Sequence, residues 1–493
     1  MRTRAFASAV VALAVCGCGT YSKKYPARTE RMHVDVRLAS GTALPGPNDK
    51  PLTLSLGTPV EMVADIQARH SDGSLDKSFT GFVRISSDPG AVLDVNGQGA
   101  TGRNAFVKDG VAKDQHVFVR NPRGATRLWV EDIGYAPADP FKPPQCADGK
   151  DNDGDGLTDY PEDPGCAFAN DDSETPGQFA AGVSGPIYFE LPRLSDVQGH
   201  GASTPYPEEG VDVMTGDPAK VVVTRVAAQG FYASDITDTG GYGHIFAFTF
   251  STPGGIRVCD RVTQLSGTAA DFFGFTELSF PSYEIQPWRN EKLDGKCPVP
   301  PPKPIVSLTL ADPAQMESIE SALVRVADVT IGKDFGPELA VKNVFGPDQS
   351  NCDLDNNGSI DFATPGSPEA ACANACIANP DCVEWTAYAS RGNYRVNLAT
   401  GGSIQINTSA ISGFDPVAMR GETLPDVTGT LRNFSGGSLN WTIETRCLDD
   451  LVCGSDATAQ SQLACRTGPK APVASDTACV SPRTIYDPNE ASN

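Results

Sequence analysis

Twenty-one residues between two cysteines, Cys146 to Cys166, constrain this chain more than any other stretch: CADGKDNDGDGLTDYPEDPGC. Asp151, Asp153 and Asp155 alternate, Gly156 follows, and Glu162 falls at position twelve counted from Asp151. The run fits the calcium-loop pattern D-x-[DN]-x-[DN]-G-x5-E at every fixed position. Ca²⁺ takes roughly 6–8 oxygens. Three short carboxylates, the Leu157 carbonyl, Asp159 and a bidentate Glu162 would supply them, and Gly156 permits the turn around the ion. The plainer alternative is a solvated acidic linker.

The flanks decide the kind of loop. Pro161 and Pro164 sit in or just after it. Proline in a helix interior costs about 3 kcal/mol, so no exit helix, and hence no helix–loop–helix hand, is expected. The segment resembles the helix-free, aspartate-rich calcium repeats of secreted proteins, the thrombospondin type 3 repeats. That resemblance implies an extracytoplasmic, calcium-rich setting. A Cys146–Cys166 disulfide would then close the segment into a staple.

The N-terminus reads as targeting. Arg2 and Arg4 precede the apolar run from Ala5 to Val15, which is too short to span a bilayer. The run ends at Cys16-Gly17-Cys18, which resembles the lipobox of bacterial lipoproteins, with Cys18 the better lipidation site. The resemblance implies a signal peptide over 1–18, a polar tether over 19–30 and anchoring to membrane through lipid. Gly19-Thr20 lacks the aspartate that retains such proteins at the inner membrane. The expected address is therefore the outer membrane at the cell surface, with its periplasmic face as the alternative. An ordinary secretory signal is the rival.

Of the fourteen cysteines, Cys16 and Cys18 leave an even number, as expected for disulfides in an oxidising compartment. Zinc is the rival at Cys372, Cys376 and Cys382, but the five histidines run from His33 to His244 and none is near. The formal charge is −22, which repels phosphate backbones and anionic lipid. Strong nucleic-acid binding is not expected.

The expected fold class is all-β: an immunoglobulin-like β-sandwich followed by two OB-like β-barrel units, with irregular calcium and disulfide-rich segments. Over 31–140, Leu52 to Leu56 and Phe82 to Ile85 alternate, and turn signals such as Asp88-Pro89-Gly90 separate the runs. Gly124 to Asp132 resembles the last strand of a bacterial immunoglobulin-like domain. The calcium loop, 141–175, follows as a stiff linker. Five runs over 185–297 suit an OB-like barrel: Val221 to Val226, Phe231 to Ser234, His244 to Phe250, Arg261 to Ser266 and Glu277 to Phe280. A Pro-rich extended linker occupies 298–304. A second OB-like unit with an acidic and Cys-rich insertion occupies 305–450. Its runs are Leu323 to Ile331, Val383 to Ala389, Ser403 to Ile406, Asp426 to Leu431 and Trp441 to Thr445. A Cys-rich tail covers 451–493.

Several of these pieces are similar to the non-catalytic region of secreted bacterial nucleases. They are Leu194 to Gly199, Val221 to Val226 with Gly230 to Asp235, Cys259 to Gly267, Phe273 to Leu278, Ala322 to Val326, and Thr428 to Leu431 with Trp441 to Ile443. In that family the region precedes a metal-dependent nuclease domain. Too few residues follow Cys447 for such a domain, and no histidine follows His244. The resemblance therefore implies fold and binding, not catalysis.

His244, Phe246, Phe248 and Phe250 share one face of a strand. The expectation is that this face lines the barrel core, with ligand stacking on Phe246, Phe248 and Phe250 as its rival. Phe272, Phe273 and Phe275 are expected to plug the core from a loop. A second acidic loop, Asp353 to Asp361, keeps Asp353, Asp355 and Asn357 at one-three-five spacing but has Thr364 at position twelve. A weaker calcium site with Asp361 as a late ligand and an Asp/Asn-rich turn are both open there. No G-x-S-x-G elbow and no phosphate-binding loop occur. The chain thus reads as a non-enzymatic surface binding or scaffolding protein with Ca²⁺ as structural cofactor and an unknown protein, glycan or nucleic-acid partner. The alternative is a nucleic-acid or glycan-binding accessory protein.

Overall fold

The computed structural model describes residues 30–99, 102–136, 141–166, 168–175, 179–289, 291–333, 364, 366–377, 388, 392–411, 414–433, 441–446, 450–453 and 466–467. Cys18 and the acidic loop with Asp353, Asp355, Asn357 and Asp361 lie outside them. The architecture is all-β, and three β bodies follow one another along the chain.

The first body is a sandwich. Its strands are β1 (Arg31–Leu38), β2 (Val60–Arg69), β3 (Gly81–Asp88), β4 (Ala91–Val95), β5 (Asn104–Val107), β6 (Val111–Arg120), β7 (Ala125–Tyr135), β8 (Gly182–Val183) and β9 (Ile187–Tyr188). One sheet runs β1-β2-β6-β4 and the other β5-β3-β7-β8. Strand β7 shows why the sequence folds this way. Thr126, Leu128 and Val130 point into the core, while Arg127, Trp129 and Glu131 alternate outward. Phe79 meets Phe179 edge-on at 5.0 Å at the centre of the packing.

Two sequence expectations change here. The sandwich does not end by residue 140. Strands β8 and β9 both pair with β7, and Phe179, Ile187 and Phe189 complete its core. Residues 141–175 are therefore an insertion within the sandwich, not a linker after it. Two-residue strands hold too few alternations to register as a pattern. Likewise Leu52 to Leu56 forms no strand, and only Leu52 makes a bridge, to Phe189.

The second body follows the short helix Leu194–Gln198 and the edge strand β10 (Glu209–Asp212). Five strands close a barrel: β11 (Val221–Ala227), β12 (Gly230–Asp235), β13 (His244–Phe248), β14 (Arg261–Phe272) and β15 (Phe275–Gln286). Strands β11, β12 and β13 form an antiparallel meander. Strand β13 then pairs in parallel with β15, β15 with β14, and β14 returns to β11. Val221, Val223, Phe231, Ala233, Ile245 and Ala247 fill the interior.

The third body repeats that order. Strand β16 (Lys303–Pro304) runs beside β17 (Leu323–Ile331), which is followed by β18 (Asn393–Leu398), β19 (Ser403–Asn407), β20 (Thr423–Asn433) and β21 (Trp441–Glu444). The parallel β19–β21 pair and the β17–β20 pair close the ring. Both barrels are OB-like. The second strand of this barrel is Asn393–Leu398. The expected run from Val383 to Ala389 lies outside the described residues except Tyr388, which is not in a strand. The 298–304 segment is not a free spacer. Cys297, bonded to Cys259, and Val299 pack with Val222, Trp288 and Leu323, and β16 pairs with β17.

Candidate functional site

The inserted lobe is tied to the end of β7. The amide of Tyr135 donates to Asp171 at 2.9 Å, and the amide of Asp172 donates to the Tyr135 carbonyl at 3.1 Å. Gly134 lies at φ +131, and a Cβ there would meet the Asp171 carboxylate at 2.1 Å, so glycine is required. Cys146 and Cys166 are joined in a disulfide with Cα atoms 5.7 Å apart. This bond links the two arms of a segment that lacks regular structure beyond the short 3-10 turn Gln145–Ala147.

Within the lobe Asp151, Asp153 and Asp155 bring one carboxylate oxygen each within 4.8 Å of one another. Asp151 accepts from the amides of Gly154 at 2.6 Å and Gly156 at 2.9 Å, which winds the turn. Asp159 is engaged elsewhere, accepting from the amides of Asp148 at 3.1 Å and Gly149 at 2.9 Å. Leu157 is exposed, and so is Glu162. The structure thus groups the three alternating aspartates and leaves Glu162 facing solvent.

Beside Glu162 the side chain turns inward. Asp163 is 1% exposed and Glu174 is 0% exposed. Asp163 Oδ1 accepts from the Gly165 amide at 2.6 Å, while its Oδ2 is buried without a hydrogen-bond partner. Glu174 accepts from the amides of Asp159, at 3.1 Å, and Asn152. Burial pushes the Asp163 carboxyl up, and the nearby Asp155, Asp153 and Glu174 carboxylates push it further. Sequence reasoning passed over both acids. Asp163 sits one residue past the pattern's twelfth position, and Glu174 lies beyond the closing cysteine, where a local motif does not reach.

The second place of interest is the junction of the two barrels. The face of β13 carrying His244, Phe246 and Phe248 does not line the barrel core, because Ile245 and Ala247 do. Phe246 packs instead with Tyr232 and Phe275 in a separate cluster outside the barrel. Both faces of β13 are covered, one by the barrel interior and one by the neighbouring body, so alternation alone could not say which is inside. The Arg432 guanidinium lies 5.1 Å from the Phe275 ring centre and 5.8 Å from that of Phe246. From there a run of rings leads to solvent: Phe248 to Phe250 at 4.3 Å and Phe250 to Phe280 at 5.0 Å between centroids. Phe250 is 57% exposed and Phe280 73%. Phe272 and Phe273 are exposed as well, and only Phe275 is buried, so the expected core plug is not formed. They end a hairpin whose turn has Phe273 and Gly274 at positive φ, which aims the rings outward.

A cleft of about 280 Å³ opens beside this run. Ala227, Gln229, Tyr232 and Phe246 line it from the first barrel, and Asn407, Ser409, Arg432 and Glu444 from the second. Its charges are partnered: Arg225 pairs with Glu444 and donates to Thr430 at 2.8 Å. His244 lies away from this cleft. Its Nδ1 is 2.8 Å from Ser234 Oγ, and burial holds its pKa down to about 3.

No family model and no curated protein matches this sequence. Among solved structures, the crystal structure of dimeric latent PorU from Porphyromonas gingivalis matches over 52% of this chain and 24% of that chain, at 11% identity and a TM-score of 0.17. This chain spans about a quarter of that protein's length.

Proposed function

We propose that this chain is a non-enzymatic lipoprotein, anchored in the outer membrane through Cys18, that binds a surface ligand at the junction of its barrels. In this reading the inserted lobe is a structural Ca²⁺ unit. The observation that carries the binding reading is the run of rings from Tyr232 and Phe246 through Phe248 and Phe250 to Phe280, which leaves a polar cleft and ends exposed. Large exposed apolar side chains in a contiguous run mark interaction surfaces. Further support is that the cleft is lined by the second and third strands of the first barrel and the turn joining strands one and two, the part of an OB barrel that commonly faces a ligand.

Among ligand classes a neutral glycan fits best. Sugar rings stack their C–H faces on aromatics, and Gln229, Asn407 and Ser409 offer the uncharged donors and acceptors that hydroxyls need. A formal charge of −22 works against a polyanion. The test is a panel of neutral glycans and single-stranded homopolymers, titrated by calorimetry against the Cys18→Ser protein and its Phe250→Ala/Phe280→Ala variant. Glycan binding weakened about tenfold or more by the double variant is expected, by analogy with the roughly 1–3 kcal/mol found for each base stacked on an aromatic ring. A salt-resistant complex with single-stranded DNA would overturn the glycan reading. Cys18→Ser should also release the protein from membranes, and a variant that still fractionates with membrane would remove the anchor from this proposal.

A further inference from the structure

We infer that the lobe's cation is held by the buried pair Asp163 and Glu174, and that Glu162 is not a ligand. This rests on the reading of the lobe as a Ca²⁺ unit and assigns that unit a different set of residues.

The argument starts from what buried charge requires. A carboxylate taken out of water needs a counter-charge or a full set of hydrogen bonds. Asp163 and Glu174 are among the most buried side chains of the lobe. No lysine, arginine or histidine pairs with either among the described residues. Glu174 is satisfied by backbone amides through both oxygens, each of which keeps a further lone pair. Asp163 uses Oδ1 on the Gly165 amide, and its Oδ2 is left without a partner in the interior. An oxygen of Asp163 and one of Glu174 lie within 4.8 Å of each other and of the Cys166 sulfur. That sulfur belongs to the disulfide and is not free to ligate, so the donor set is oxygen only.

The backbone holds this pair in place. A Cβ on Gly165 would meet the Glu174 carbonyl oxygen at 1.5 Å. The arm bearing Asp163 and the arm bearing Glu174 therefore touch through backbone and cannot separate without undoing the lobe. The disulfide fixes the same arm one residue later. Asp153 and Asp155 are half-buried and group with Asp151 in a separate carboxylate cluster of the same lobe. Two buried carboxylates on arms held together by backbone contact and a disulfide make a preformed oxygen-only site, which suits Ca²⁺, with its irregular, partly bidentate shells, better than Mg²⁺, which demands a near-ideal octahedron. Glu162 is exposed, whereas Asp163 beside it is buried. Asp151 serves as the residue that winds the turn.

The experiment is a CaCl₂ titration by calorimetry of the chelator-treated full chain in its Cys18→Ser form, with Glu162→Gln, Asp163→Asn and Glu174→Gln compared against it. Removing a direct ligand should weaken Ca²⁺ by about a hundredfold or more, whereas Glu162→Gln should stay within about threefold of the parent. Folding is followed in the same samples by thermal unfolding in chelator. Relief of carboxylate repulsion should leave apo Asp163→Asn at least as stable as the apo parent, so its loss of Ca²⁺ response is not a loss of fold. If Glu162→Gln abolishes binding and Asp163→Asn does not, this ligand set is wrong while the lobe remains a Ca²⁺ unit. If the parent itself binds no Ca²⁺, both readings fall.

Discussion

The inserted lobe and the barrel junction both bury charge, and they treat it in opposite ways. At the junction three acids are paired with arginines. Arg446 and Asp450, 2% and 0% exposed, form a paired fork at 2.7 and 2.9 Å, and Arg446 also donates to the Thr224 carbonyl of the other barrel. Arg325 pairs with Asp426 and Arg225 with Glu444. The joint between the sandwich and the first barrel follows suit, with Arg123 donating to Glu209 at 2.8 Å and to the Gly210 carbonyl. In the lobe, Asp163 and Glu174 are as deeply buried, yet among the described residues neither forms an ion pair with a basic side chain. Charge matched from within the chain makes a joint between bodies.

The comparison is broken most severely by unpairing the joint. Arg446→Ala leaves Asp450 buried without its counter-charge and should cost about 3–5 kcal/mol. Replacing both with apolar residues of similar volume should recover most of that loss in chemical denaturation. Equal stability of Arg446→Ala and the parent would mean the pair holds nothing together.

An intermediate effect is expected where the junction keeps an acid neutral rather than paired. Glu320 accepts from the Gln198 amide at 2.6 Å and from the Thr276 backbone amide at 3.1 Å. Burial pushes its pKa up to about 8, and that of Glu317 up to about 7. The folded chain holds these protons at pH values where the unfolded chain has released them. Their contribution is therefore complete below about pH 4.5 and is lost as pH rises through about 8. Glu320→Gln should flatten much of the fall in unfolding temperature between pH 5 and pH 9. A variant with the parent's slope would place the titration elsewhere.

The smallest effect sharpens the contrast between structure and surface. Phe250→Ala should change stability by no more than about 0.5 kcal/mol, as for other exposed positions without a structural role. A loss of several kcal/mol would show that the ring belongs to the core and not to a binding face.

The same contrast explains what the sequence disclosed. The barrels were legible because Val221 to Val226, Arg261 to Ser266 and Leu323 to Ile331 carry enough residues for period-two alternation to show. The two-residue strands that return the chain to the sandwich after the lobe were not, and so an insertion read as a linker. Asp151, Asp153 and Asp155 announced themselves by spacing. Asp163 and Glu174 did not, because burial of an acid is decided by Gly165, the disulfide and β7, not by neighbours in sequence. For the aromatic face, alternation gave the right grouping of Phe246 with Phe248 but not its side, since a second body covers what would otherwise be solvent.

The central proposal is that a cation holds the lobe's buried carboxylates, Asp163 and Glu174, together. Limited proteolysis of the Cys18→Ser protein, in Ca²⁺ and in chelator, measures this most directly, with cleavage within 141–175 as the readout. In the parent, chelator should raise cleavage sharply, because repulsion among Asp153, Asp155, Asp163 and Glu174 opens the lobe and Ca²⁺ closes it by mass action. In Asp163→Asn the rate should be the same with and without Ca²⁺. A parent cleaved equally fast under both conditions would contradict the account.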